Sequence, residues 1–382
     1  MRNKKKVVIA MSGGVDSSVA VKLLTKKNYK CLGIFLHFWQ EEAGFKKKLI
    51  LNPVENKCCS AKALLDARRV CQKIGINLYT LNFRRDFKKK VVDNFLNEYK
   101  SGRTPNPCVR CNKFVKLGLL IKKARKLGYD RVASGHYARL KKIGHEYKLY
   151  RAKDKAKDQS YFLYNLDQSQ LKHLLFPLGE YKKEDIRKIA RKYKLAVAEK
   201  KDSQEICFIP GKNHNNFLKR HLKLKSGLIK TMDDKTVGRH HGLPLYTIGQ
   251  RRGVEIGGIG PFYVLKCDYK TNTLYVADDN HDPLLYSDKL IAKNVNWISG
   301  KEPKLPLACA AVIRYRHKPT KCIISPFDKG GKEGFILKRK LDEVNYYNKY
   351  LVKFSKPQRA ITPGQSVVFY RRDEVLGGGI IN

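Results

Sequence analysis

Two groups of residues could do chemistry. The first is Ser12-Gly13-Gly14-Val15-Asp16-Ser17-Ser18, which follows the apolar run Val7 to Met11 and leads into a helix-like stretch. Two adjacent glycines let successive N–H groups converge on an anion, and the hydroxyls and helix start add donors and partial positive charge. Asp16 would repel a phosphate unless a cation lay between them, so the loop implies Mg2+. No G-x-x-x-x-G-K-S/T occurs in the chain, so this is not the common phosphate-binding loop. The second group is thiols. Of ten cysteines, Cys108 and Cys111 stand out as a Cys-x-x-Cys pair. The others lack the density of a secreted disulfide scaffold, and Cys31, Cys71, Cys267, Cys309 and Cys322 read as buried, inert thiols.

The 382 residues carry 80 Lys+Arg against 34 Asp+Glu, a formal net charge of +46. At roughly 150 residues per domain, this length predicts two or three domains. With 42% hydrophobic residues the chain has apolar material for packed cores, which excludes a disordered polycation. Its apolar runs are far shorter than the roughly 20 residues a membrane helix needs, so no membrane partner is expected. The basic start Met1 to Lys6 is followed by only five apolar residues, too few for a secretory leader, and a reducing, cytoplasmic setting is expected. A basic surplus of this size points to a polyanionic partner, because each phosphate neutralised releases counterions. Solvated surface lysines account for part of it.

These residues need elements to position them. Val7 to Met11, Cys31 to Phe38, Leu78 to Phe83 and Arg131 to Ser134 read as strands, and Ser17 to Lys26 reads as a helix. In Ala61 to Ile74 the apolar residues Leu64, Ala67, Val70, Cys71 and Ile74 recur at helical spacing. This alternation predicts an α/β, Rossmann-like domain with a parallel sheet and ligands at the carboxyl ends of its strands. Glu41 to Lys57 breaks the pattern and reads as an inserted surface loop. Lys212 to Lys235 reads as basic and loosely helical, and Gly238 to Gly260 as loops and short strands. From about Lys289 the pattern is period-two β, with Ala308 to Tyr315, Cys322 to Ser325, Tyr350 to Phe354 and Ser366 to Tyr370 as strands, which predicts a small antiparallel β-barrel. The expected organisation is a catalytic domain over 1–205, a small mixed central domain over 206–288 and a barrel over 289–382.

The Ser-Gly-Gly-Val-Asp-Ser-Ser run resembles the signature of the PP-loop ATP pyrophosphatases, which bind ATP, transfer AMP to a carbonyl-type oxygen and release pyrophosphate. Further motifs resemble, in order, those of the bacterial tRNA-uridine 2-sulfurtransferase family. They are Thr104 to Lys113, Ala133 to Arg139, Lys157 to Tyr161, Asp202 to Ile209, Tyr246 to Arg251 and Thr362 to Gln365. The resemblance spans essentially the whole chain. It implies ATP-dependent 2-thiolation of the wobble uridine in tRNA anticodons, in tRNAs such as those for Lys, Glu and Gln. The alternative is another PP-loop adenylating enzyme of the lysidine synthetase type.

By this resemblance Ala10, Met11, Ser12, Gly13, Gly14, Val15, Asp16, Ser17, Leu36 and Gly135 contact ATP. Cys207 carries a persulfide and Cys111 is its partner nucleophile, the two ending as a disulfide. Asn106, Pro107, Cys108, His136, Lys157, Asp158, Gln159, Arg314, Tyr315 and Gln365 match positions that contact tRNA, the uridine being flipped out of its stack. The sequence departs from the family at Cys108, where many members have an aspartate that serves as acid or base. Cys108, Cys111 and Cys207 could instead ligate three irons of a [4Fe-4S] cluster whose fourth iron binds hydrosulfide. A cluster-free persulfide route and a zinc site, with Cys58-Cys59 nearby, are the other possibilities. An upstream sulfur carrier or cysteine desulfurase is implied as partner, and the chain is expected to act as a monomer.

Overall fold

A computed structural model of the chain describes residues 4–39, 60–202, 206–209, 214–254, 261–327 and 349–382. The Glu41 to Lys57 insertion, Cys58-Cys59 and the last residues of the glycine-rich run lie outside the described residues.

The first sheet is fully parallel. Strands β1 (Lys6–Met11), β2 (Lys30–His37), β3 (Leu78–Asn82) and β4 (Arg131–Ala133) come first in the chain. They stand with a short β7 (Leu174–Leu175) in the order β3-β2-β1-β4-β7. Val7 to Met11 are all buried because helices cover both faces, which is why β1 reads as a continuous apolar run. Val7, Ile9 and Met11 pack with helices α1 (Val15–Lys26) and α2 (Ala61–Ile74), while Val8 and Ala10 join the opposite core with Phe87, Phe95 and Val115. Ser60 caps α2 by accepting from the Ala63 N–H at 3.1 Å. The chain leaves β1 toward β2 and returns to β4 on the other side, so the crevice beyond β1 and β4 is the topological switch point.

Two strands of this sequence region do not join that sheet. β5 (Ala138–Ile143) and β6 (Glu146–Arg151) form a hairpin, and β6 pairs with the last strand of the chain.

The central segment holds the helix His214–His221 and strands β8 (Gly227–Lys230), β9 (Thr236–His240), β10 (Tyr263–Asp268) and β11 (Thr273–Ala277). They form a mixed sheet in the order β10-β11-β8-β9. The expected helical character of Lys212 to Lys235 therefore holds only for its first part. Gly227 and the apolar Leu228-Ile229 make a strand there because β11 offers a parallel partner, Leu274 facing Ile229.

The C-terminal strands are β12 (Tyr286–Trp297), β13 (Leu307–Val312), β14 (Thr320–Pro326), β15 (Lys349–Arg359), β16 (Ser366–Arg371) and β17 (Glu374–Ile381). They run β12-β15-β14-β13-β16-β17, and β17 pairs back onto β12, closing a six-stranded antiparallel barrel. Among the described residues no helix is long and apolar enough to cross a membrane.

The first domain is sewn to this barrel. Tyr150 faces Glu374 and Leu149 faces Val375 across β6 and β17, and Arg139 pairs with Asp373 at 2.9 Å. Tyr164 is fully buried against Gly378, where an added Cβ would sit 2.5 Å from the Val367 carbonyl oxygen and 2.8 Å from the Tyr164 ring. Gly378→Ala should therefore destabilise the protein by about 1–3 kcal/mol through overpacking, read as a lower urea midpoint with an unchanged slope.

Candidate functional site

The phosphate loop is built by close approach. Gly13 has φ +65°, and a Cβ there would lie 2.1 Å from the Ala63 carbonyl oxygen, so α2 leaves room only for glycine. Gly14 is extended and caps α1 without a side-chain bond. The hydroxyls of Ser17 and Ser18 donate to the Gly14 carbonyl at 3.1 and 2.8 Å, and the Ser12 N–H donates to Ser17 Oγ at 3.2 Å. Lys200 Nζ braces the loop from outside, donating to the Gly13 carbonyl at 2.8 Å and to Asp66 at 2.7 Å. Ala10 and Met11 end β1 beneath it, and Leu36 lies near the end of β2, its neighbour.

Gly135 closes the other side of the crevice. Its Cβ position is 2.8 Å from the Ser17 backbone nitrogen and 3.1 Å from Asp16 Cβ, so the turn after β4 touches the start of α1 directly. Tyr137 Oη donates to Asp16 Oδ1 at 2.7 Å, and burial together with the Asp16 charge pushes its phenol pKa far up, keeping it a donor.

Asp16 also receives Lys183 Nζ at 2.7 Å, and the same ammonium reaches Asp202 Oδ1 at 2.9 Å. Arg187 adds a bond to Asp202 at 3.1 Å and Lys157 one at 2.8 Å. Burial alone would raise the Asp202 carboxyl, but the bonds from Lys157 and Lys183 more than reverse this and hold it below its ordinary range. This network joins the phosphate loop to the segment that carries Cys207.

The far side of that segment is fixed by packing. Phe208 is buried with its ring edge-on to Phe87, Phe95 and Phe217, with centroids 5.6, 5.3 and 5.6 Å away, and to Trp39 at 6.1 Å. Ser203, Gln204 and Glu205, between the two anchors, lie outside the described residues.

Cys108 and Cys111 stand on a helical run, Pro107–Arg110, that passes into a π-helical turn, Cys111–Lys116. Cys111 is buried, while Cys108 and Cys207 are partly exposed. The Cys108 thiol is pushed up to about 12 by burial and then by Cys207, with Lys116 opposing. Cys111 is raised well above its ordinary value by burial, Cys207 and Cys108, against the pull of Lys116. The three sulfurs thus sense one another. Among the described residues no group of three or more His, Cys, Asp or Glu is arranged to hold a metal ion.

The residues expected at the tRNA divide into two groups. Gln365 of the barrel meets the chain just ahead of Asn106 and Pro107, its Nε2 donating to the Thr104 carbonyl at 2.9 Å, and Thr104 Oγ1 lies 3.2 Å from Thr247 Oγ1 of the central segment. A cavity of about 330 Å³ opens there, lined by Thr104, Thr247, Gln250, Arg314 and Gln365. Tyr315 lies over Phe162 with ring centroids 4.5 Å apart. Lys157, Asp158, Gln159 and His136 instead face protein partners. Asp158 is buried, accepting from Arg151, Ser160 and the Ala152 N–H; Gln159 accepts from the Tyr137 N–H, and His136 is buried beside Lys116. Lys183, Lys200 and Lys116 carried no signal in the sequence, because each gains its meaning from contacts with distant residues or, for Lys116, from a turn that no periodicity announces.

A parallel sheet with an SGGxDS loop at its switch point, thiols beside that crevice and two appended β domains define a PP-loop enzyme. Three family models match in series. They describe a tRNA methyl transferase HUP domain over residues 5–211, a tRNA methyl transferase PRC-barrel domain over 215–278 and an aminomethyltransferase beta-barrel domain over 287–381. Among curated relatives, tRNA-specific 2-thiouridylase MnmA 2 of Clostridium tetani is 44% identical over 99% of both chains. MnmA of Clostridium perfringens is 43% identical over 99% of this chain and 98% of its own, and MnmA 2 of Geobacillus kaustophilus is 43% identical over 100% of this chain and 95% of its own. The chain belongs to this family of enzymes, the tRNA-specific 2-thiouridylases.

Lys183→Met would leave Asp16 and Asp202 facing each other without their shared cation. The expected cost is about 1–3 kcal/mol at neutral pH, discounted for the water that reaches Asp16. Because the Asp202 carboxyl is held low in the folded state, its contribution exists above the ordinary carboxylate range and is lost as pH falls. The gap between wild type and variant, followed by urea unfolding, should therefore narrow below about pH 4.

Proposed function

We propose that the chain converts the wobble uridine of tRNA anticodons to 2-thiouridine, activating the uridine with ATP and delivering sulfur from a cysteine persulfide. One observation carries the reading. Consecutive residues of one turn, Gly135 and His136, touch the phosphate loop on one side and the cysteine helix on the other. The ATP site and the thiols are therefore only a few side chains apart, as a reaction in two stages on one base requires.

In the first stage the triphosphate lies on the N–H groups and hydroxyls of Ser12 to Ser17. The Asp16 carboxylate, with the triphosphate oxygens, would hold Mg2+, which supplies charge neutralisation. The uridine O2 bonds to the α-phosphorus as the bond to the β-phosphate oxygen breaks, and pyrophosphate leaves. In the second stage the terminal sulfur of a Cys207 persulfide bonds to C2, and AMP leaves with the former O2. The Cys111 thiolate then attacks Cys207 Sγ, and the electron pair of the broken S–S bond goes to the sulfur now on the base. The products are 2-thiouridine, AMP, pyrophosphate and a Cys111–Cys207 disulfide, which an external thiol reduces. A sulfur carrier or cysteine desulfurase reloads Cys207.

The tRNA is held by the basic surplus, and the uridine is chosen around Asn106, Pro107 and the three-domain cavity lined by Arg314 and Gln365. We further propose that the enzyme acts as a monomer in the cytoplasm, with catalytic, central and barrel domains over 1–205, 206–288 and 289–382.

Nucleoside mass spectrometry of tRNA from a deletion strain should show loss of wobble 2-thiouridine, restored by the wild-type gene and not by Cys207→Ser; persistence of the modified base in the deletion strain would sink the reading. Affinity for unmodified tRNA should fall about 10³-fold or more between 50 and 200 mM salt, as expected when about six or more phosphates are contacted.

A further inference from the structure

Two thiols stand outside the reaction written above. Cys309 lies on β13 and Cys322 on β14, and the antiparallel register of these strands sets the two residues directly opposite each other. Opposed residues on neighbouring strands share a face of the sheet, here the inner face of the barrel, where both pack into the core that holds Leu307, Ala311 and Ile324. Their sulfurs are 3.6 Å apart. Cys322 is buried and Cys309 is partly exposed, so the sequence expectation of two buried thiols holds for one of them only.

The geometry allows a bond between the pair. Directly opposed residues of antiparallel strands have Cα atoms about 4.5–5.5 Å apart, within the roughly 4.4–6.8 Å that a disulfide spans. The sulfurs need to close only from 3.6 Å to about 2.0 Å, which rotation of the two side chains supplies while the strands stay paired. The two thiols differ in access to a reagent. The hydrogen bond to Cys309, and then burial, hold the Cys322 thiol far above its ordinary range, so Cys322 keeps its proton and Cys309 is the sulfur met first.

The chain between the two cysteines is where the barrel reaches the other domains. Arg314 Nη2 donates to the Ala360 carbonyl and to Thr362 Oγ1, both at 3.1 Å, and lines the cavity shared with Thr104 and Thr247. Tyr315 lies against Phe162 of the first domain.

We propose that Cys309 and Cys322 are a reversible oxidation site, closing to a cross-strand disulfide that staples the hairpin carrying Arg314 and Tyr315. The oxidant is a low-molecular-weight disulfide. The Cys309 thiolate bonds to one sulfur of that disulfide, its S–S bond breaks, and a small thiolate leaves. Cys322 then gives up its proton and attacks Cys309 Sγ, and the second small thiolate leaves. Each leaving thiolate takes up the proton that a cysteine gave. Two cysteine sulfurs are oxidised and one small disulfide is reduced to two thiols, and an excess of the small thiol reverses both steps. The proposal does not depend on the persulfide reading, since neither sulfur takes part in that reaction.

The test treats folded, full-length protein with bis(2-hydroxyethyl) disulfide, blocks the remaining thiols with N-ethylmaleimide and digests with trypsin. Cleavage after Lys304, Arg314, Lys321 and Lys329 puts the cysteines on separate peptides, 305–314 and 322–329. Mass spectrometry should find these two peptides linked, and dithiothreitol should separate them. Cys322→Ser should instead trap Cys309 as a mixed disulfide, and in Cys309→Ser the Cys322 thiol should react about tenfold more slowly or less. Hydrogen–deuterium exchange over 313–319 should slow about tenfold in the linked form. Should a serine variant fail to fold, the wild-type digest decides alone. A linked pair that never forms in folded protein, or forms only in urea, overturns the oxidation site, and unchanged exchange in the linked form overturns the staple.

Discussion

A single ammonium, that of Lys183, lies between two carboxylates that would otherwise repel each other. One belongs to the phosphate loop and the other begins the segment that bears Cys207. With only 9% of the residue exposed, that charge must be compensated locally, and Asp16 and Asp202 do so from opposite directions. Anything that draws Asp16 toward a bound cation must weaken one half of this bridge. The phosphate loop and the segment that carries Cys207 are therefore linked by charge balance.

The thiols are governed by a second balance, between burial and a nearby cation. Burial of their sulfurs and the nearness of Cys207 raise the pKa of Cys108 and Cys111, so the neutral thiol is the resting form of both. A neutral thiol is a weaker nucleophile than a thiolate. The π-helical turn sets the spacing between Cys111 and Lys116, and the aromatic nest around Phe208 anchors the residue next to Cys207.

What could be read from the sequence follows the range of the forces involved. Strands β1 and β2 were legible because burial on both faces makes each one a run of apolar residues, β3 because its residues alternate, and α2 because its core-facing residues repeat at helical spacing. The phosphate loop was legible because its glycines, serines and aspartate are contiguous. The β5–β6 hairpin was not, since its partner β17 lies at the other end of the chain and its exposed face gives Lys141 and Lys142 no periodic signal. The buried places of Asp158 and His136 were equally hidden. A polar motif does not announce its burial, and the bonds from Arg151, Ser160 and Lys116 become visible only in the fold.

The pairing of β6 with β17 also governs how the molecule is made. Ribosomes deliver β6 long before β17, so for most of synthesis the hairpin presents an unpaired strand edge. The barrel is open over the same interval, because β17 is the strand that closes it onto β12. One late strand completes both. A nascent chain of this kind needs its edge shielded until then, by its own lysines or by a chaperone, and a product truncated ahead of β17 would lose the barrel's closure together with the barrel's hold on the catalytic domain.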